Sequence, residues 1–294
     1  MSLEKYNDMK IGIGYSGLVI KEYAKSFYFA ASFLPREKRE GAHAVYNFCR
    51  HADNIVDKPR ERSIDEIISE LNRLREELDL SYKYGESEHP SLMAFAHYAK
   101  KYSIPKEYAH DLLNGVEMDL TLKRYETFDE LYTFCYRVAS VVGLMMSYIL
   151  GFKEDKALIH AEKMGIAMQL TNILRDVKED KYMGRIYLPL AELRERKISE
   201  FNIINENSTP ELIDYMKFNV DRAKKYYSEG DEGIHLLHKD ARFAIHTASR
   251  IYGKILDIIT ERNYNPFDER AFVPKSQKFG ILLNELLKTR FSQN

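Results

Sequence analysis

In two runs of this chain, oxygen-bearing side chains recur every four residues. In C-R-H-A-D-N-I-V-D, Cys49 to Asp57, the carboxylates Asp53 and Asp57 extend a series that begins at Ala42, Tyr46 and Cys49. Spacings of four, three, four and four put all five on one helical face, so two acids continue a stripe that otherwise reads as core. Burying an ionised carboxylate without partners costs on the order of several kcal/mol, so such groups reach solvent, pair with cations or coordinate a metal. In A-M-Q-L-T-N-I-L-R-D-V-K-E-D, Asn172, Asp176 and Asp180 stand four apart, with Gly165 and Gln169 before them on nearly the same face. At about 1.5 Å of rise per residue they form a ladder roughly 12 Å long. Mg²⁺ prefers oxygen ligands and commonly binds through one or two carboxylates together with substrate phosphates. Two facing ladders of this kind suit a metal-bridged diphosphate.

Either DxxxD alone is common decoration of a solvated helix face. Together they carry more, because both continue core-like stripes and both have basic neighbours: Arg50 one turn before Asp53, and Arg175, Lys181 and Arg185 around the second ladder. A guanidinium can clamp a diphosphate bidentately, or it can simply neutralise the adjacent carboxylates.

Two other patterns compete. Gly12, Gly14 and Gly17 have GxGxxG spacing, but a dinucleotide fingerprint needs a preceding strand and a βαβ unit, neither of which is legible here. This stretch reads as a flexible lead-in to the first helix. ExxH occurs at Glu40–His43, Glu107–His110 and Glu232–His235, and paired ExxH motifs can hold two irons in a helical bundle. Such sites also need a Glu from each of two further helices, whereas the inward acids here are Asp.

Positioning these groups falls to helices. Periodicity near 3.6 marks segments at about 20–34, 37–57, 63–79, 89–102, 106–123, 127–150, 154–181, 210–236, 240–262 and 268–289, while strand-like alternation is nearly absent. Pro35, Pro105 and Pro210 fall at helix starts and Pro59, Pro90, Pro189, Pro266 and Pro274 punctuate connections. No fixed-period repeat or Gly/Ser-rich linker interrupts the series. The expectation is an all-α fold, a single domain over residues 1–294, its helices bundled around a central cavity.

Composition narrows the function. With 44 Lys plus Arg against 45 Asp plus Glu, a net charge of −1 gives no global attraction to nucleic acid. Cys49 and Cys135 lie in apolar helical patterns without CxxC spacing, which favours reduced thiols and a cytoplasmic setting. The N-terminus does not read as a secretory signal, and the longest apolar run, Val138 to Phe152, is shorter than a span of about 20 residues. The 21 Tyr and 15 Phe supply ample aromatic wall for a cavity, although an ordinary packed core uses the same residues.

At this level of detail the chain resembles the squalene/phytoene synthase family, the head-to-head prenyl diphosphate synthases of the isoprenoid synthase fold. The resemblance rests on K-S-F (Lys25 to Phe27), Y-N-F-C-R-H-A-D-N-I-V-D (Tyr46 to Asp57), Y-R-V-A-S-V-V-G (Tyr136 to Gly143) and Q-L-T-N-I-L-R-D-V-K-E-D-K-Y-M-G-R-I-Y-L-P (Gln169 to Pro189). It continues through R-I-Y (Arg250 to Tyr252) and D-E-R-A-F-V-P-K (Asp268 to Lys275). It implies that Asp53 and Asp57 form the first metal-binding motif and that Asn172, Asp176 and Asp180 form the second, with the four aspartates essential to catalysis. It also implies substrate or diphosphate contacts at Ser26, Tyr46, Arg50, Gln169, Arg175, Tyr252, Arg270 and Lys275. Asn54 stands where many members carry a second Asp, and Phe134 where the family usually has Tyr.

The implied cofactor is Mg²⁺, with Mn²⁺ able to substitute; no NADPH site is recognisable. The implied partners are prenyl diphosphates rather than nucleic acid, with peripheral membrane contact on product release. The implied activity is condensation of two prenyl diphosphates through a cyclopropyl diphosphate. Ala30 and Ala31, where several C15-using relatives place Phe at the second position, and His43, in place of a bulky aromatic, favour two C20 units and phytoene. The alternative is two C15 units giving presqualene diphosphate, dehydrosqualene or squalene, and R-V-A-S-V-V-G also looks like presqualene-forming relatives. A different class, a non-catalytic interaction subunit of the same fold, is opposed by retention of both ladders.

Overall fold

The computed structural model describes residues 3–23, 25–57 and 62–291, with side chains described for 11–22, 27–57 and 62–288. In chain order the helices are α1 (Leu3–Tyr23), α2 (Lys25–Ala31), α3 (Arg36–Asp57), α4 (Ile64–Tyr84), α5 (Pro90–Lys101), α6 (Lys106–Thr121), α7 (Phe128–Cys135) and α8 (Val141–Leu150), then α9 (Lys156–Arg175), α10 (Val177–Tyr182), α11 (Leu190–Glu195), α12 (Glu200–Ile204), α13 (Pro210–Asp231), α14 (Lys239–Glu261) and α15 (Lys275–Phe291). Among the described residues, strand pairing is limited to two isolated bridges. The all-α expectation holds.

Local chemistry explains several boundaries. Ser63 and Glu66 form a reciprocal capping box at the start of α4, and Gly85 ends that helix in the left-handed region at φ 75°. Thr127 caps α7 and Thr209 caps α13, where Pro210 sits in the first turn. Pro90 also opens a helix, α5, instead of merely separating two.

Three expectations about elements are corrected. Residues 3–23 are helical, glycines included, because α1 packs on α3 and α5 and this tertiary contact outweighs the low propensity of Gly12, Gly14 and Gly17. The helix expected from 268 begins only at Lys275, since Pro274 cannot sit inside a helix. The segment expected at 154–181 is two helices, α9 and α10, meeting at Asp176 (φ −107°, ψ 13°). The second ladder is therefore bent at its middle rung.

The core runs from α3 through α6, α8, α9, α13 and α14, with Phe48, Leu112, Met145, Ile166, Met216 and Leu256 fully buried. Between α7 and α8 the chain adopts one π-helical turn, Tyr136–Ser140, packed against α6 and α9. Gly165 on α9 permits this approach: a Cβ there would lie 2.4 Å from Ser140 Cα. Through the π turn, Phe128–Leu150 is long and apolar enough to cross a membrane, unlike the shorter run expected, yet 56% of its apolar window is buried within the bundle. Cys49 and Cys135 are both free and buried.

Candidate active site

Two ladders, one shared charge system. α3 presents Asp53 and Asp57, the α9–α10 junction presents Asn172, Asp176 and Asp180, and a fifth carboxylate, Asp119 on α6, lies within the field of both sets. Burial and the charges of Asp57 and Asp119 push Asp53 up to about 7, against the opposing pull of Arg50. Burial, Asp176 and Asp119 likewise push Asp180 up to about 7, with Arg185 opposing. Asp119 is therefore close enough to influence both ladders.

Asp176 behaves differently. Burial alone would raise its carboxyl, but hydrogen bonds from Arg175 and Arg270 outweigh burial and hold it below the usual carboxylate range. Arg175 Nε and Arg270 Nε each donate to Asp176 Oδ1 at 2.7 Å, and both arginines also donate Nη2 to Oδ2. The two guanidinium groups thus meet on one carboxylate, which pins the helix break.

A loop completes the arrangement. After α10 the chain turns through Gly184 (φ 74°) and pairs back along residues 123–126: Ile186 N donates to Lys123 O at 3.1 Å and Leu190 N to Tyr125 O at 2.9 Å. This pairing delivers Arg185 and Tyr187 to Asp119. Arg185 Nη2 lies 3.0 Å from Asp119 Oδ2 and its Nη1 lies 3.8 Å from Asp57 Oδ1, while the Tyr187 hydroxyl donates to Asp119 Oδ1. Tyr187 stacks on both Phe134 and Tyr125, and the Phe134 and Tyr125 rings meet at a tilt. Where the family usually carries a tyrosine, this chain therefore has a buried ring in an aromatic stack.

Of the other residues expected at the site, Tyr46 stacks on Phe27 at 5.8 Å, and burial together with Asp53 and Tyr252 raises its hydroxyl to about 12, against Arg50. Tyr252 on α14 lies within the fields of Arg175, Arg270 and Asp176, so it joins the first ladder's surroundings to the second's. Gln169 Oε1 accepts from Asn172 Nδ2 at 3.2 Å. Ser26 is on α2, but its side chain lies outside the described residues. Lys275 stands exposed at the start of α15, and among the described contacts it shares none with the ladders.

Sequence reasoning missed Asp119 and Tyr187. Asp119 lies in V-E-M-D-L-T with no second acid four residues away, and its closeness to the ladders comes from tertiary pairing that spacing does not encode. The ExxH motifs do not converge. Glu40 accepts from Tyr98 and Arg36, His110 lies 2.9 Å from Asp79, and His235 is exposed with Nδ1 at 2.6 Å from the Glu232 carbonyl.

An apolar cavity of ≈ 320 Å³, open mouth included, is lined by Phe27, Ala30 and Ala31 of α2 and by Leu34 just beyond it, with Ala244 and Ala248 of α14 among the facing residues, and Phe27 links it to Tyr46 beside the first ladder. Among the described residues, no group of three or more His, Cys, Asp or Glu side chains forms a metal cage by itself. The donor set fits hard divalent cations in another way. Its oxygens come in pairs, and Asp53 and Asp180 carry poorly compensated charge. Phosphate oxygens of a ligand would complete the coordination shell.

Comparison with known proteins supports this reading. The sequence pattern of the squalene/phytoene synthase family matches residues 20–277. A 15-cis-phytoene synthase of Synechocystis sp. is 37% identical over 273 residues, covering 88% of this chain and 80% of that protein. A phytoene synthase of Arthrospira platensis is 35% identical, covering 92% and 91%. Among solved structures, a ligand-bound dehydrosqualene synthase superposes with a TM-score of 0.89 at 30% identity, covering 99% of this chain and 100% of that one. The squalene synthase HpnC of Alicyclobacillus acidocaldarius shares the fold with a TM-score of 0.82 at 24% identity over 91% and 98%.

Proposed function

The chain belongs to the squalene/phytoene synthase family, and on that premise we propose that it condenses two geranylgeranyl diphosphates head to head into phytoene. It is a prenyltransferase, and its family uses divalent metal to bind prenyl diphosphates. The observation that carries the reading is the sharing of one charge system by two acidic ladders, with an alanine-lined apolar cavity whose Phe27 stacks on Tyr46 beside the first ladder, in a chain 37% identical to a phytoene synthase. The C15 alternative is less favoured, because these phytoene synthases are 35–37% identical over 88–92% of the chain and the cavity wall carries the small side chains of Ala30 and Ala31.

In this reading Asp53 and Asp57, with Asn172, Asp176 and Asp180, would hold Mg²⁺, or Mn²⁺ in its place. When bound, the cation neutralises diphosphate oxygens and makes the diphosphate a better leaving group. Arg175 and Arg270, whose Nε and Nη2 are held on Asp176, add positive charge beside the same oxygens, and Arg50 adds charge beside Asp53. As the first diphosphate leaves, the allylic C1 cation is attacked by the double bond of the second substrate, and loss of one proton closes a cyclopropyl ring. Departure of the second diphosphate allows rearrangement to the C1–C1′ bond, and loss of a second proton gives the hydrocarbon. Through these steps Phe27, Ala31, Leu34 and Met146 keep water from the cation. A cytoplasmic enzyme touching a membrane peripherally to release its hydrocarbon belongs to the same proposal.

The test is incubation with C15 and C20 diphosphates and Mg²⁺, followed by identification of the hydrocarbon. Phytoene is expected, with turnover lost in excess chelator and in Asp53→Asn and Asp176→Asn variants that keep wild-type helicity. Product from C15 substrate alone, or near-normal rates in either variant, would overturn the assignment.

A further inference from the structure

Arg185 is placed where a cation would compete with the metal. Its side chain is only 10% exposed, its Nη2 is locked on Asp119 at 3.0 Å, and its Nη1 lies 3.8 Å from Asp57 Oδ1, too long for a hydrogen bond but close for a charge. Its Nε is buried with no hydrogen-bond partner. Its backbone N–H donates to Asp180 O at 2.9 Å, so the residue is tied to the last rung of the second ladder while its guanidinium faces the last rung of the first. Gly184 at φ 74° and the pairing of Ile186 with Lys123 fix this reach.

We propose that Arg185 is a built-in counter-charge that makes metal binding conditional on the diphosphate. A bare divalent ion approaching Asp57 is repelled by the fixed guanidinium in a partly buried setting, where a unit charge a few ångströms away counts heavily. A diphosphate brings negative charge enough for both cations. Metal and diphosphate therefore bind as a pair, and neither bare ladder is left to scavenge ions. Arg185 acts here through Asp57 and Asp119 as a positioning residue. The inference rests on the reading that the ladders hold the metal–diphosphate pair.

The experiment measures Mn²⁺ binding by electron paramagnetic resonance, with and without inorganic pyrophosphate, in wild type, Arg185→Gln and Arg185→Lys. Arg185→Gln should bind bare Mn²⁺ about 10-fold tighter or more, and the enhancement by pyrophosphate should shrink by a similar factor. Arg185→Lys should stay near wild type. A purely structural role would weaken binding in both conditions instead. Unchanged or weaker bare-metal affinity in the Gln variant, or identical behaviour of the two variants, overturns the proposal. Should Arg185→Gln fail to fold, the ¹⁵N resonance of Arg185 Nε in wild type decides: it should shift on adding pyrophosphate with Mn²⁺, and no shift overturns the proposal. If wild type shows no saturable Mn²⁺ binding even with pyrophosphate, the metal reading of the ladders itself falls, and this inference with it.

Discussion

Replacing Asp53 by Asn should make the metal-free protein more stable while removing its activity. An aspartate carboxyl ordinarily titrates near 3.8 and Asp53 is pushed up to about 7; the gap, 7 − 3.8 or about 3 pH units, at about 1.4 kcal/mol each, sets an upper limit of roughly 4 kcal/mol on the cost of its charge. The sign follows from proton binding. A carboxyl raised in the folded state binds its proton more tightly there than in the unfolded chain. The wild type therefore gains stability as pH falls through about 7 towards 3.8, and this gain is absent above about 7. Asparagine keeps the shape and carries no charge at any pH. Chelator-treated Asp53→Asn should thus exceed wild type by about 1–4 kcal/mol at pH 8 in urea unfolding, with the advantage shrinking towards pH 5. Equal or lower stability of the variant at pH 8, or an advantage independent of pH, would refute the electrostatic account of the first ladder.

Two further outcomes follow from packing. Gly165→Ala puts a Cβ 2.4 Å from Ser140 Cα and 2.7 Å from its backbone N, where no flexible atom can yield, so it should lower the urea midpoint by the equivalent of about 1–3 kcal/mol or more; an unchanged midpoint would contradict the close approach of α9 to the π turn. Ala31→Phe adds most of a ring to the cavity between α2 and α14, and contacts in such pockets are worth about 1–3 kcal/mol per methylene, so C20 should lose to C15 diphosphate by at least about 10-fold in direct competition. An unchanged preference in a folded variant would show that this wall does not set chain length.

The parts of the molecule legible from sequence were those governed by local rules. Helical periodicity and the prolines at helix starts located most of the helices, and the stripe Tyr46, Cys49, Asp53, Asp57 lay on one helix, as its spacing required. The helical lead-in was illegible because three glycines argue against a helix and only packing against α3 and α5 overrides them. The break at Asp176 was hidden for a similar reason. A periodic run from 154 to 181 gives no sign that Arg270, 94 residues away, will clamp its middle rung.

The same distinction explains why the acids were found and their charge balance was not. Spacing shows that carboxylates share a face, but how strongly they repel depends on what lies opposite. Arg175 and Arg270 converge on Asp176 and hold its carboxyl down, whereas Asp53 and Asp180 remain pushed up to about 7. Asp119 adds negative charge to both ladders from a third helix, and Arg185 offsets part of it from a loop. The frustration is specific: two carboxylates, one per ladder, are left in want of positive charge. A fold selected for stability alone would have filled those positions with neutral side chains. Carrying them at some cost in stability is what the proposed site for cations together with diphosphates would require.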